Sequence, residues 1–289
     1  MNAVANRRNI EVTKVAHLRG HKGAIYDFVI DKNTEIVYTA GADGLVVAWQ
    51  ANDPTGVSIL QTSEPLYSIF IHKDMLLAGS RSGTIYTINL TTKTLPKTEK
   101  RHTGGVFFMQ NELSGGEDGV FIIGDNKIQL SKDSIRCLVE RENDWLIGSS
   151  DNSIYRINKS DNSIEAVLQG HTNSVFALCL LDDNTLVSTG RDALIKVWDL
   201  TINKEVFSVA AHMYQAKSLS FNGEFLLSSS MDKSIRLWSD KLKLLKVIDF
   251  EKNEGHTNCI NKVQWLDNKR FVSCSDDRSL IFWQVEINN

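Results

Sequence analysis

The chain has 289 residues, 42% hydrophobic and 23% charged, with three prolines and a formal net charge of -3. That composition is globular, and a compact chain of this size buries about three quarters of its unfolded surface without help from disulfides. The negative balance argues against a nucleic-acid binder relying on overall positive charge, and no apolar run approaches the roughly 20 residues of a membrane span. Cys137, Cys179, Cys259 and Cys274 form no CxxC pair and no metal-ligand spacing. Each lies in an apolar stretch and reads as a packed, reduced thiol, which fits a reducing compartment. Arg7 and Arg8 are not followed by an apolar segment, so no signal peptide is expected and the expected location is cytoplasmic.

In chain order, Val12 to Leu18 reads as a spare strand ahead of the first repeated pattern. That pattern is Gly20-His21, then Asp43, then Trp49. It returns as Gly170-His171, Asp192 and Trp198; as Ala211-His212, Asp232 and Trp238; and as Gly255-His256, Asp277 and Trp283. The aspartate follows the histidine by 20 to 22 residues and the tryptophan follows the aspartate by six. A period of about 40 residues marks an array of one supersecondary unit.

Between the first and second matches lie three degenerate units. Leu66 to Phe70 with Gly79 to Ile85 forms one, with Ile88 where tryptophan would stand. His102, Gly116-Glu117-Asp118-Gly119 and Val120 to Ile123 form a compressed second, and Ile135 to Val139 with Gly148 to Tyr155 a third. The turn positions then fall at 43, 82, 118, 151, 192, 232 and 277. Seven units are expected, with six regular ones plus an irregular insert as the alternative. The clearest unit shows the local logic. Ser163 to Leu168 alternates before Gly170-His171, and Val175 to Leu181 is a continuous apolar run. Thr185 to Gly190 and Leu194 to Asp199 follow, separated by the tight turn Arg191-Asp192-Ala193. Four short strands joined by hairpins make an antiparallel blade, and repeated blades close into a propeller.

The Gly-His pair, the Ser188-Thr189-Gly190-Arg191-Asp192 segment and Val197-Trp198-Asp199 resemble the WD-repeat β-propeller family. The resemblance runs from about Val12 to Val285, although only this unit has the literal Trp-Asp pair. It implies an all-β, seven-bladed propeller of four-stranded antiparallel blades, closed by the N-terminal strand completing the last blade. Residues 1–289 are expected to form one domain, ordered over about 12–286.

His171, Ser188 and Asp192 are the residue types of a hydrolase triad. The same types recur as His21, Thr39 and Asp43, as His212, Ser228 and Asp232, and as His256, Ser273 and Asp277. An enzyme needs one activated nucleophile, not four equivalent sets. The resemblance implies instead a buried network joining each set to Trp49, Trp198, Trp238 or Trp283. No catalytic residue, metal or cofactor is therefore expected. His17, His72 and His102 stand alone, without metal-ligand neighbours. Gly104-Gly105 and Gly115-Gly116 lack a phosphate-loop pattern. Trp145 and Trp265 are read as core, and Lys97 to Arg101 as a solvated loop.

The resemblance further implies a binding face around the mouth of the central channel, fed by three positions per blade. Five residues past the histidine stand Tyr26, Tyr67, Phe107, Arg136, Phe176, Lys217 and Asn261. Before the turn aspartate stand Ala42, Arg81, Glu117, Ser150, Arg191, Met231 and Asp276; three past the histidine stand Ala24, Pro65, Gly105, Ser134, Ser174, Gln215 and Cys259. In blades two and four Thr62 and Ser131 replace the histidine. The candidate site is Tyr26, Tyr67, Arg81, Phe107, Arg136, Phe176, Arg191, Lys217, Met231 and Asn261. Aromatic rings and arginine are enriched at interface hot spots, and the cations suit carboxylates. The expected function is a non-catalytic scaffold for a protein or peptide with acidic and apolar side chains. An RNA-associated factor using the basic side of that face is the alternative, and an enzyme with a site at the channel mouth ranks below it.

Overall fold

The computed structural model describes residues 9–92 and 94–288, so Arg7 and Arg8 lie outside the described residues. Its described residues form seven four-stranded antiparallel sheets arranged as a seven-bladed propeller. The inner strands of blades one to seven are Ile25–Ile30, Leu66–His72, Val106–Gln110, Ile135–Glu140, Val175–Leu180, Ala216–Phe221 and Ile260–Trp265. Blade three is complete despite its short sequence. Its strands Val106–Gln110, Leu113–Gly116, Val120–Ile123 and Asn126–Gln129 are only shorter and joined by tighter turns. Ile164–Gln169, just before Gly170-His171, is the outermost strand of blade four. The sequence repeat is therefore offset by one strand from the structural blade. Lys97–Lys100 is likewise the exposed outer strand of blade two rather than a loop, and lysines on such an edge discourage further strand pairing.

Closure uses the two ends of the described chain. Asn9–Arg19 pairs antiparallel with Ser279–Asn288, from Asn9↔Asn288 to Arg19↔Ser279, and supplies the fourth strand of blade seven. Ile10, Val12 and Leu18 point inward and are 3–6% exposed. A short helix, Phe250–Asn253, which the sequence periodicity did not announce, is capped by the Asp249 side chain accepting from the Lys252 N–H. It reaches the closing strand: Asn253 Nδ2 donates to the Val12 carbonyl at 2.9 Å and Lys14 Nζ donates to Glu254 at 2.9 Å.

The core lies between blades. Ile25, Phe28 and Trp49 of blade one pack with Val272, Leu280 and Phe282 of blade seven, and Trp198 of blade five packs with Leu146 and Ile154 of blade four. Trp145 and Trp265 are buried, as expected of core residues. The four cysteines are free, and burial pushes the Cys137 thiol up to about 12 and Cys179 and Cys259 to about 11. Polar stitches cross between inner strands. Asp27 accepts from the Ile69 N–H at 2.9 Å, and Ser68 Oγ donates to the Val106 carbonyl at 2.8 Å. No helix among the described residues is long and apolar enough to cross a membrane.

Candidate functional site: the channel mouth

Every inner strand breaks register at its second residue. The pairing jumps from Ile25 to Asp27, Leu66 to Ser68, Val106 to Phe108, Ile135 to Cys137, Val175 to Ala177, Ala216 to Ser218 and Ile260 to Lys262. A β-bulge leaves one residue outside the ladder and re-aims its side chain. The skipped residues are Tyr26, Tyr67, Phe107, Arg136, Phe176, Lys217 and Asn261. All seven line one cavity of about 360 Å³ on the propeller axis. A second repeated feature locks the surrounding turns. The N–H before each turn position donates to the carbonyl three residues past the histidine position: Ala42 to Ala24, Arg81 to Pro65, Glu117 to Gly105, Ser150 to Ser134, Arg191 to Ser174, Met231 to Gln215 and Asp276 to Cys259, all at 2.8–2.9 Å. Blades two and four keep this pairing with Thr62 and Ser131 in place of histidine. The structure thus gathers seven of the ten candidate side chains into one cavity and leaves Arg81, Arg191 and Met231 exposed on the turns around it.

Around the mouth the contacts run from ring to ring and then from cation to ring. Tyr26 meets Tyr67 edge-on at 5.5 Å, and Tyr67 stacks on Phe107 at 5.7 Å with 9° between planes. The Arg136 guanidinium lies 4.0 Å above the Phe107 ring centre and 5.7 Å from that of Phe176, and Lys217 Nζ lies 4.8 Å above Phe176. Asn261 Nδ2 closes the circle, donating to the Ile25 carbonyl at 2.9 Å and to Asp276 at 2.7 Å. Arg136 Nε donates to Ser150 Oγ at 2.8 Å. Burial pushes the Arg136 pKa down and the Glu117 carboxylate pulls it back, but a guanidinium starts so high that it stays charged. Burial, followed by the Asp276 carboxylate, raises the Tyr26 phenol. Among the described residues, Arg81, Arg136, Arg191 and Lys217 have no ion-pair partner, and no three His, Cys, Asp or Glu side chains meet as a metal site requires.

The triad-like sets are buried networks. His21 Nδ1 faces Asp43 at 3.0 Å and its Nε2 faces Thr39 Oγ1 at 2.7 Å, while the Trp49 indole N–H donates to that hydroxyl at 2.8 Å. The corresponding distances are 2.7, 2.6 and 2.7 Å for His171, Asp192, Ser188 and Trp198. They are 2.9, 2.8 and 2.9 Å for His212, Asp232, Ser228 and Trp238. They are 3.0, 2.8 and 2.8 Å for His256, Asp277, Ser273 and Trp283. Each hydroxyl has 0% exposure and is engaged by both the histidine and the indole, so no substrate carbonyl can reach it in this arrangement.

The reading of His102 as a lone histidine is corrected by the structure. Its Nδ1 faces Asp118 at 2.9 Å and its Nε2 faces Ser114 Oγ at 2.9 Å, so blade three holds the network without the tryptophan. Blades two and four substitute other groups. Glu64 accepts from the Ser82 N–H at 2.7 Å and the Ser82 hydroxyl at 2.8 Å, and Asp151 accepts from the Tyr155 hydroxyl at 2.5 Å. Burial opposes ionisation of Asp43, Glu64, Asp118, Asp151, Asp192, Asp232 and Asp277, yet hydrogen bonds outweigh it and hold all seven below the usual range. Burial pushes His102 and His212 down despite their carboxylate partners.

Comparison with known proteins follows the same pattern of blades. Over 220 residues the chain is 29% identical to the nuclear distribution protein PAC1 of Komagataella phaffii, covering 72% of this chain and 40% of that protein. Over 122 residues it is 31% identical to the ribosome biogenesis protein WDR12 homolog of Culex quinquefasciatus, covering 40% of this chain and 28% of that protein. The chain thus spans less than half the length of either relative. Its fold matches the WD40 β-propeller domain of Doa1 with a TM-score of 0.84 at 21% identity, over 96% of this chain and 97% of that one. Residues 12–50, 162–199, 203–239 and 246–284, which include all four tryptophan networks, match the WD domain, G-beta repeat; the chain belongs to the WD40 repeat family.

Proposed function

We propose that the protein is a non-catalytic, cytoplasmic interaction scaffold that holds a segment of a partner protein across the channel mouth. The observation that carries this reading is the unbroken run from Tyr26 through Tyr67, Phe107, Arg136 and Phe176 to Lys217, whose two cations form no ion pair among the described residues. Arg136 takes a partner carboxylate, and the Tyr26–Tyr67–Phe107 wall takes an apolar side chain. The cation is held in place before binding by Ser150 and Phe107, which limits the ordering lost on association. Relatives described as nuclear distribution and ribosome biogenesis proteins fit a chain that works by holding others.

The test is affinity capture on the full chain, followed by calorimetric titration of the recovered partner. A truncated aromatic anchor at an interface centre costs about 2 kcal/mol, so Phe107→Ala and Arg136→Ala should each weaken binding ~30-fold without lowering the thermal midpoint of the propeller by more than a few degrees. Equal affinity of the wild type and both variants overturns the reading. Recovery of RNA whose affinity falls steeply with salt transfers the face to the nucleic-acid alternative.

A further inference from the structure

Blade six differs from the other blades at the two residues that follow the network histidine. The equivalent pairs are Lys22-Gly23, Ser63-Glu64, Thr103-Gly104, Lys132-Asp133, Thr172-Asn173 and Thr257-Asn258, all polar or glycine. Blade six has Met213-Tyr214, and at its position before the turn aspartate it has Met231. These side chains are 80%, 61% and 47% exposed. Backbone bonds bring them together: the Met213 N–H donates to Asp232 at 3.0 Å, Ser230 Oγ donates to the Tyr214 carbonyl at 3.1 Å, and the Met231 N–H donates to the Gln215 carbonyl at 2.9 Å.

The fold does not require apolar residues here, since six blades form the same turn without them. The turn is in one respect poorer for them. In blades five and seven the asparagine accepts from the next N–H, Asn173 from Ser174 at 2.9 Å and Asn258 from Cys259 at 2.8 Å. Tyr214 has no side-chain carbonyl to offer in that place. Blade six therefore gives up a local hydrogen bond and leaves three large apolar side chains in water, the signature of a surface used for contact. Cations with no ion pair among the described residues flank the cluster. Arg191 sits on the adjoining turn, whose Ala193 carbonyl accepts from the N–H groups of Ala211 and His212 at 3.0 and 3.2 Å. Lys233 follows Met231 by two residues, and Lys217 lines the mouth on the inner side.

We propose that Met213, Tyr214 and Met231 form a docking knuckle for a peptide segment that carries a bulky apolar side chain beside one or more carboxylates. Methionine adapts to the shape of an incoming apolar group, and tyrosine offers a stiff, amphipathic face. Arg191, Lys217 and Lys233 select the acidic neighbour. The knuckle lies beside the channel mouth over blade six, and the choice of one occupant running across both rests on the reading of that mouth as a partner site.

The experiment uses randomised peptides displayed on phage, selected on the immobilised full chain, with the recovered peptides synthesised and titrated. The M213T/Y214N variant installs the residue pair of blades five and seven, and Met231→Ser is an independent second variant. Recovered peptides should pair Leu, Ile, Phe or Met with Asp or Glu. M213T/Y214N should bind them at least ~30-fold more weakly while its thermal midpoint stays level or rises, with Met231→Ser changing affinity in the same direction. Selection of peptides without an acidic–apolar pair, recovery of none, or unchanged affinity in M213T/Y214N and Met231→Ser overturns the knuckle. If those variants bind normally while Phe107→Ala does not, the knuckle falls and the mouth reading stands. If they fail while Phe107→Ala binds normally, the knuckle stands as a site of its own and the mouth reading falls.

Discussion

Blades one, five, six and seven hold their turns with histidine, hydroxyl and tryptophan; blades two, three and four reach the same turn with different groups. Blade three keeps the histidine and hydroxyl, but Gly124, in the left-handed region at φ 57, occupies a tight turn where tryptophan would stand. Blade two brings its carboxylate from Glu64, on the segment entering the blade, to a serine at the turn. Blade four keeps Asp151 and serves it with Tyr155. What all seven share is an ionised carboxylate fixed under the turn, not the residue that fixes it. Blades two and four fill the tryptophan space with Ile88 and Ile157, both buried. Blades two, three and four also supply Tyr67, Phe107 and Arg136, half of the continuous run around the channel mouth. A position freed from one structural task remains compatible with the fold as long as the carboxylate and the bulge remain.

The strongest way to break that comparison is at the closure. Blade seven is regular in its network but built from distant parts of the chain, whereas blade three is irregular in its network but continuous. Removing residues 1–19 strips Ile10, Val12 and Leu18 from the core together with one whole strand. At about 1.5–3 kcal/mol per buried aliphatic side chain, the loss rivals a typical domain stability of about 5–15 kcal/mol. The truncated chain should show no cooperative urea transition. A midpoint equal to that of the intact chain would mean that closure does not hold the ring.

Acid comes next, because it acts on all seven blades at once. The turn carboxylates have folded-state pKa values held below their ordinary values, so the unfolded chain binds more protons as pH drops. Their contribution is complete above about pH 4.5 and is lost below it. His102 and His212 add to the loss earlier: their folded values lie below the ordinary 6.5, so the unfolded chain takes up their protons first as pH falls from about 7. The urea midpoint should therefore decline gently from pH 7 to 5 and steeply below 4.5. A flat profile down to pH 3 would break the claim that the carboxylates are the shared device.

A single hydroxyl sharpens the comparison between blades. Among the described residues the Ser188 hydroxyl bonds two buried groups, the His171 ring and the Trp198 indole N–H, whereas the Ser114 hydroxyl bonds only the His102 ring. Ser188→Ala should cost about 2–3 kcal/mol and Ser114→Ala about 1–1.5 kcal/mol, read from urea midpoints at constant slope. Equal losses would mean that the indole contributes nothing through its N–H.

These blades also show what could be read before folding. The turns of blades one, five, six and seven are legible from the His–Asp–Trp spacing and those of blades two, three and four from register alone, because the bonds that set the register are backbone bonds indifferent to side-chain identity. The mouth residues followed from a constant offset because one bulge recurs in every inner strand. Ser114 was missed because the blade-three hairpin places it 12 residues after His102 rather than 17 as in blade five. Glu64 was missed because its carboxylate comes from the opposite side of the turn to the aspartate it replaces. The sequence does mark the blades that lack histidine. The two blades without histidine are those with tyrosine four residues past the turn position, Tyr86 and Tyr155. The knuckle of blade six is visible only by comparing units within the chain, once exposure shows that its side chains are not core.

Those two tyrosines give the finest test. The Tyr155 hydroxyl donates to Asp151 at 2.5 Å, and burial together with that carboxylate pushes the phenol up to about 12. The Tyr86 hydroxyl lies 3.4 Å from Glu64, at the edge of hydrogen-bonding distance. Replacing either by phenylalanine keeps the ring and removes only the hydroxyl. A bond to an ionised acceptor contributes about 1.5–3 kcal/mol when buried and less at a half-exposed site, so Tyr155→Phe should lower stability by about 1–1.5 kcal/mol. Tyr86→Phe should stay within about 0.5 kcal/mol, because Ser82 already satisfies Glu64 through both its N–H and its hydroxyl. Paired urea titrations resolve that difference. If both variants match the wild type, the carboxylates of blades two and four are held by serine and backbone N–H groups alone, and the tyrosines only fill the space a histidine ring would occupy. A loss confined to Tyr155→Phe makes that phenol the working substitute for histidine in blade four, and it leaves blade two as the one blade that fixes its carboxylate without a ring.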